Sequence, residues 1–353
     1  MTPLAEILVA RIAATGPITI AEFMAECLLH PLHGYYTTKA PFGADGDFIT
    51  APEISQMFGE LVGLALGQAW IEQGAPKTAI LAEIGPGRGT LMQDVLRVLR
   101  TLPGGTAWRP HLVEASPRLR QEQARKVPDA IWLDTVADLP QAPLFLVANE
   151  FFDALPIRQF VRAPDGWSER MIGLTELALS FGLSQAAPIA ALQDRLQDTT
   201  EGDLIETCAP ALPIMEEIGS RIAQFGGAAL IIDYGGWHSL GDTLQALNSH
   251  KPEPVLANPG VADLTGHVDF EPLARTADEV GAVAAPLTSQ GVFLERLGIT
   301  PRAQALARAM SPVQIETHIA AHRRLTHPEE MGNLFKVLGI TPRGAAPIAG
   351  TAA

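Results

Sequence analysis

The sequence predicts an α/β fold: a parallel sheet covered by helices, preceded by a helical N-terminal extension and interrupted by a small antiparallel sheet. Three observations carry this. Short apolar runs at 79–84, 111–115, 130–133 and 144–148 alternate with helical stretches at 90–100 and 117–126, the pace of strand–helix–strand units. The first run ends in three alternating glycines, Gly85, Gly87 and Gly89. Residues 156–207 then break the rhythm with runs that read as short antiparallel strands.

The elements follow in order. Leu4, Ile7, Leu8 and Ile12 fall at helical spacing, and Gly16-Pro17 stops the run. Thr19 and Glu22 form a capping-box pattern for a second helix, with Ile18 and Phe23 placed as its hydrophobic staple. Residues 30–56 read as an ordered loop with turns at Gly34, Gly43 and Gly46 and aromatic anchors at Tyr35, Tyr36, Phe42 and Phe48. Helical spacing returns at 54–73. After the parallel strands, runs at 159–162, 169–174, 177–183 and 204–207 make up the inserted sheet, and a helix at 214–224 leads to an apolar strand at 228–233. The expected organisation is four segments: N-terminal helices and active-site loop 1–75, first half of the core 76–155, insertion 156–225, and second half of the core 226–353 with a lid loop at 241–270.

Composition narrows the function classes. The 353 residues suffice for about two domains, or for one domain with insertions. A formal net charge of −14 repels phosphate backbones, which disfavours nucleic acid and favours cationic partners. Cys27 and Cys208 cannot build a disulfide framework or a cysteine-built zinc site. The longest uncharged stretch, 177–193, contains Ser180, Ser184, Gln185 and Pro188 and falls short of the roughly 20 apolar residues of a span. With Glu6 and Arg11 in the first turns and no Arg- and Ser-rich, acid-poor stretch there, neither a signal peptide nor an import leader is expected. With 20 arginines against 5 lysines, the expectation is a bacterial cytoplasmic protein.

The strand-to-helix turn 81–90 is the most informative segment. Its glycines permit positive φ and close approach of a ligand to the backbone. A dinucleotide site uses G-x-G-x-x-G, whereas here the spacing is G-x-G-x-G with Glu83 two residues before the first glycine. A carboxylate there opposes a pyrophosphate but suits an ammonium or sulfonium, which favours S-adenosylmethionine (SAM); a purely structural turn is the competing account. Glu114 ends the next strand 25 residues after Gly89, where it can accept hydrogen bonds from both ribose hydroxyls. Asp134 follows the third strand, where an adenine amino group would lie.

The fourth strand ends in Asn149-Glu150-Phe151-Phe152-Asp153. An amide that orients an acceptor nitrogen, and two acids that match a guanidinium fork, stand at the edge where chemistry occurs. Glu150 is the expected base, Asp153 its partner and Asn149 the orienting group. His318, His322 and His327 resemble a metal-binding face, but the residues between the first two are Ile319-Ala320-Ala321, and Arg323 and Arg324 repel a cation. No metal is expected.

These blocks together resemble the MidA family of SAM-dependent methyltransferases, whose mitochondrial members assist respiratory complex I assembly by methylating an arginine of a core subunit. The resemblance is carried by GYY at 34–36, GDFITAPEIS at 46–55, EIGPGRGTLMQDVLR at 83–97, VEASPRLR at 113–120, NEFFDALP at 149–156, DYGG at 233–236 and DLTGHVDF at 263–270. It implies a class I methyltransferase (Rossmann-like) fold, SAM as cofactor and a protein arginine as acceptor. It further implies that 46–53 and 263–269 close over the site, with Asp47, Glu53, Asp233 and His267 on the substrate side. Local loop capping is the competing account for Asp47, Glu53 and His267. A non-catalytic SAM-binding assembly chaperone is the alternative function, and the glycine spacing disfavours a nicotinamide oxidoreductase.

Overall fold

The computed structural model describes residues 1–38, 50–105, 108–248 and 251–352. These fall into two compact units. One comprises the described residues of Met1–Phe48, Asp153–Ala211 and His238–Asp269; the other comprises those of Ile49–Phe152, Leu212–Trp237 and Phe270–Ala353.

The second unit is built on a sheet. Strands β1 (Ile80–Ile84), β2 (Pro110–Val113), β3 (Ile131–Leu133), β4 (Leu144–Asn149) and β5 (Gly227–Gly236) run parallel. Strands β6 (Ala282–Ala284) and β7 (Phe335–Pro342) extend it antiparallel, in the order β3-β2-β1-β4-β5-β7-β6. Every residue of β1, β2 and β4 is buried, as a sheet covered on both faces requires. The strand order reverses between β1 and β4. The carboxyl ends of these two strands therefore form the switch point at which open α/β sheets bind ligands.

Helix α3 (Gln56–Glu72) buries Met57, Phe58, Leu61, Val62, Ala65 and Leu66 in the core of this unit. It lies close against α4 (Thr90–Leu99) because Gly59 carries no side chain: a Cβ there would stand 2.5 Å from Asp94 Cβ. This packing explains a departure from the expected segments. Residues 50–72 belong with the sheet rather than with the N-terminal helices.

In the first unit, helix α1 (Pro3–Thr15) is capped by Thr2, and helix α2 (Ile20–Leu29) carries the expected capping box of Thr19 and Glu22. Leu8, Ile12, Phe23 and Met24 pack with Ile172 and Leu264 in one apolar cluster. The strands Arg158–Ala163, Gly166–Thr175, Ala178–Leu183 and Leu204–Thr207 form the inserted antiparallel sheet, which Ile18–Thr19 joins at its edge. The stretch 241–270, expected as a long lid loop, instead contains a three-stranded antiparallel sheet of Gln245–Asn248, Lys251–Glu253 and Asp263–Thr265. Its anchors Leu244, Ala246, Ala262 and Leu264 are buried in the same cluster as the N-terminal helices.

Candidate functional site

The turn after β1 is built from left-handed backbone. Gly85, Gly87 and Gly89 have φ of +63°, +50° and +76°, a region in which a side chain is strained. The Gly85 amide donates to Val113 O at 3.1 Å, tying the turn to the end of β2, and Gly89 is the residue from which α4 starts. Glu83 precedes this turn at 2% exposure. Its Oε2 is buried with no hydrogen-bond partner among the described residues. Burial pushes its carboxyl up to about 8; the Met92 amide works against that shift, and the negative charge of Glu114 adds to it.

Glu114 stands directly after β2 and is also buried. Its Oε1 accepts from the Ser116 amide at 2.8 Å, and its Oε2 accepts from Gln123 Nε2 at 3.0 Å. Burial raises its carboxyl above the usual range, against the pull of these two donors. Gln123 lies on α5 (Pro117–Lys126) and was not among the expected site residues. It is fully buried, and the same Nε2 donates to Gly87 O at 2.8 Å while its Oε1 accepts from Trp132 Nε1 at 2.8 Å. Asp134 differs from these groups. Its side chain is 83% exposed and paired with Arg120 at 2.5 Å, so it sits at the surface in an ion pair.

At the end of β4, Asn149 is buried and its Nδ2 donates to Glu150 Oε1 at 3.1 Å. Asn149 Oδ1 has no hydrogen-bond partner among the described residues. Glu150 adopts φ +51°, uncommon for a residue with a side chain, and its Oε1 also accepts from the Ala51 amide at 3.0 Å. Two expected substrate-side acids in this unit are engaged by protein groups. Asp233 is fully buried; its Oδ2 accepts from the Phe151 and Phe152 amides at 3.1 and 2.9 Å, and its Oδ1 from the Tyr234 amide at 3.0 Å. These bonds fix the turn after β4. Glu53 accepts from the Thr90 hydroxyl and lies 3.7 Å from Arg88 and 3.6 Å from Lys126. It fastens the segment 50–54 to the start of α4.

The remaining expected residues belong to the first unit or are not described. The boundary between units falls between Phe152 and Asp153, so Glu150 and Asp153 lie in different units. Asp153 is buried, its carbonyl accepts from the Gly266 amide at 3.0 Å, and its charge joins that of Asp263 beside Tyr36. The Tyr36 hydroxyl donates to both oxygens of Asp263 at 3.2 Å; burial first, then these acids, hold its phenol well above the usual range. The His267 amide donates to Thr243 Oγ1 at 2.7 Å. Asp47 lies outside the described residues. His318 Nε2 meets Ala303 O at 3.0 Å and His322 Nε2 meets Thr300 Oγ1 at 3.0 Å, and no group of three or more metal-ligating side chains occurs among the described residues.

A family model described as "Putative S-adenosyl-L-methionine-dependent methyltransferase" matches residues 61–288. The chain belongs to this SAM-dependent methyltransferase family. It is 36% identical to the protein arginine methyltransferase NDUFAF7, mitochondrial, of Xenopus laevis, over 95% of this chain and 83% of the relative. The human protein of the same name is also 36% identical, over 97% and 84%. A solved structure from Burkholderia thailandensis, bound to S-adenosyl-homocysteine, superposes with a TM-score of 0.83 at 28% identity, covering 99% of this chain and 94% of that one.

The family's cofactor is SAM, and the residues at the switch point fit it. SAM has cationic ammonium and sulfonium groups and a ribose diol, but no phosphate. The methyltransferase offers a buried carboxylate oxygen without a partner among the described residues, three left-handed glycines, and a second buried carboxylate at the tip of the neighbouring strand. Asp134 does not share this setting, since its exposed side chain is committed to Arg120. Among the described residues, no helix is long and apolar enough to cross a membrane.

Proposed function

We propose that this methyltransferase transfers a methyl group to an arginine side chain of a partner protein, with a respiratory complex I subunit as the target and the bacterial cytoplasm as the setting. The observation that carries the cofactor half is the buried Glu83 Oε2 beside the glycine turn, which has no hydrogen-bond partner among the described residues and so leaves a place for a cation. The acceptor half is supported by the activity for which the relatives are named and by Asn149 and Glu150 at the end of β4.

In this reading Glu83 receives the ammonium, Gly85, Gly87 and Gly89 admit the cofactor to the backbone, and Glu114 accepts from the ribose hydroxyls. When bound, the cofactor supplies a sulfonium-borne methyl that leaves behind a neutral thioether. A guanidinium has no localised lone pair, so the protein must concentrate its positive charge on the nitrogens that do not react. Glu150 does this and accepts the one proton lost as the new N–C bond forms. Its Oε1 is fixed by the Ala51 amide and Asn149 Nδ2, which hold the carboxylate in place. Asp153 remains the proposed second acid for the guanidinium, and His267 and Asp47 the proposed residues of the substrate side. The test is incubation of the protein with methyl-labelled SAM and lysate, followed by identification of the labelled residue. Label on an arginine of one partner protein is expected; label on another residue type, or none, overturns the acceptor assignment.

A further inference from the structure

We propose that Gln123 is a positioning residue that sets the distance between the glycine turn and Glu114, and so tunes cofactor affinity without touching the reacting atoms. This inference rests on the proposed ribose role of Glu114. Gln123 is fully buried on α5, and the two polar atoms of its amide meet three partners in three different elements: Nε2 meets Gly87 O in the turn and Glu114 Oε2 after β2, and Oε1 meets Trp132 Nε1 on β3. The arrangement admits one orientation of the amide. Turned over, it would set its oxygen against a carbonyl and a carboxylate and its NH2 against the indole N–H. The helix itself rides on the turn, since a Cβ on Gly89 would stand 3.5 Å from Gln123 Cα.

The chemistry requires a neutral donor here. Two acceptors, one of them a carboxylate, converge on the Gln123 NH2, and each is on a segment that the proposed site uses. A glutamine supplies both N–H bonds and adds no charge. A glutamate in its place would set a second negative charge about 3 Å from Glu114, and a methionine would fill the volume while leaving Gly87 O and Glu114 Oε2 without their donor.

The experiment is a double-mutant cycle read by calorimetric SAM affinity, with thermal unfolding of each apo variant as the fold control. Gln123→Met is expected to weaken SAM binding roughly tenfold, the scale of one hydrogen bond to a charged group. In a Glu114→Ala background the same change is expected to cost less than about twofold, because its effect passes through Glu114. Gln123→Glu adds a readout that a packing role would not move. Its affinity relative to wild type should be lowest at pH 8 and recover towards pH 6, where a proton on the new carboxyl restores a donor. The charged groups on the surrounding elements (Glu83, Arg88, Glu114, Arg120, Glu122, Lys126 and Asp134) are the same in both proteins, so the ratio at each pH reads what the new carboxyl adds, its coupling to Glu114 and Glu83 included. This isosteric variant also carries the test should Gln123→Met fail to fold. Weakened binding in Glu114→Ala with normal binding in Gln123→Met overturns the positioning role alone, as does a fully additive cycle or a pH-independent ratio. Normal binding in Glu114→Ala overturns the ribose assignment beneath it.

Discussion

The Phe151 ring stands where a side chain on Gly85 would have to go: a Cβ built on Gly85 meets Phe151 Cδ2 at 2.8 Å. The first residue of the turn after β1 and the aromatic that follows Glu150 are thereby packed against one another across the β1/β4 switch point. Gly85→Ala therefore combines strain at φ +63° with displacement of that ring. It should cost about 1–3 kcal/mol of stability by denaturant unfolding, and SAM affinity should fall with it. Unchanged stability would mean that Phe151 is free to move and that the two ends of the site are not coupled.

Glu83 makes a prediction about pH. Its carboxyl lies near 8 in the folded protein, against an ordinary value of 4.5, so the folded state holds a proton that the unfolded state releases. The stabilisation is fully present below the ordinary value and is lost as pH rises through 8. Glu83→Gln removes that loss and should stabilise the apoprotein at pH 8.5 by about 1–3 kcal/mol relative to wild type, with little change at pH 4.5. The same substitution should weaken SAM binding, since the cationic ammonium then meets a neutral amide. In the wild type, binding should release protons near neutrality, measurable as a buffer-dependent calorimetric enthalpy. Proton-neutral binding would remove Glu83 from the cofactor site.

Asp233 sets a structural role against a substrate-side one. One of its oxygens accepts from the amides of two consecutive residues, Phe151 and Phe152, and the other from Tyr234. An asparagine keeps only one acceptor oxygen and turns an NH2 towards an N–H. Asp233→Asn should therefore destabilise the fold by about 2–4 kcal/mol, the scale of a lost charge-assisted hydrogen bond together with an unpaired buried donor. A variant with normal stability and impaired transfer would return Asp233 to the substrate side.

The parallel strands and the glycine turn were legible because their signals are local: a short apolar run, then Gly85-x-Gly87-x-Gly89 before a helical period. The amide partners of Asp233, 81 and 82 residues away, and the Thr90 hydroxyl beside Glu53 left no trace in the sequence, because an acid at a strand end or in a loop looks alike whatever it faces. Gln123 was missed for a related reason, being a neutral amide within the charged run 118–126. It did leave a trace, since it lies four residues after Leu119, and these two are the buried positions of that helix. A polar residue on the apolar stripe of an otherwise polar helix is a signal worth reading. The sheet within 241–270 was hidden because its strands have three or four residues, one of them interrupted by Pro252, too short to show alternation.

Glu150 separates catalysis from binding. Its backbone is held at φ +51° and its Oε1 by two N–H donors, so the carboxylate is placed at the end of β4 by constraints that do not depend on its charge alone. Glu150→Gln is nearly isosteric, and the amide oxygen can still accept from Ala51 and Asn149. The fold and SAM affinity should therefore stay within about twofold of wild type. What the glutamine cannot do is localise the guanidinium charge or take up the proton released when a nitrogen is methylated. Single-turnover transfer to an arginine-bearing partner at saturating SAM should fall by roughly a hundredfold or more, the scale of a lost general base or positioned charge. Because the lost group is a base, the residual rate should rise with pH as solvent hydroxide takes over proton removal. A variant that transfers at the wild-type rate would show that another group removes the proton.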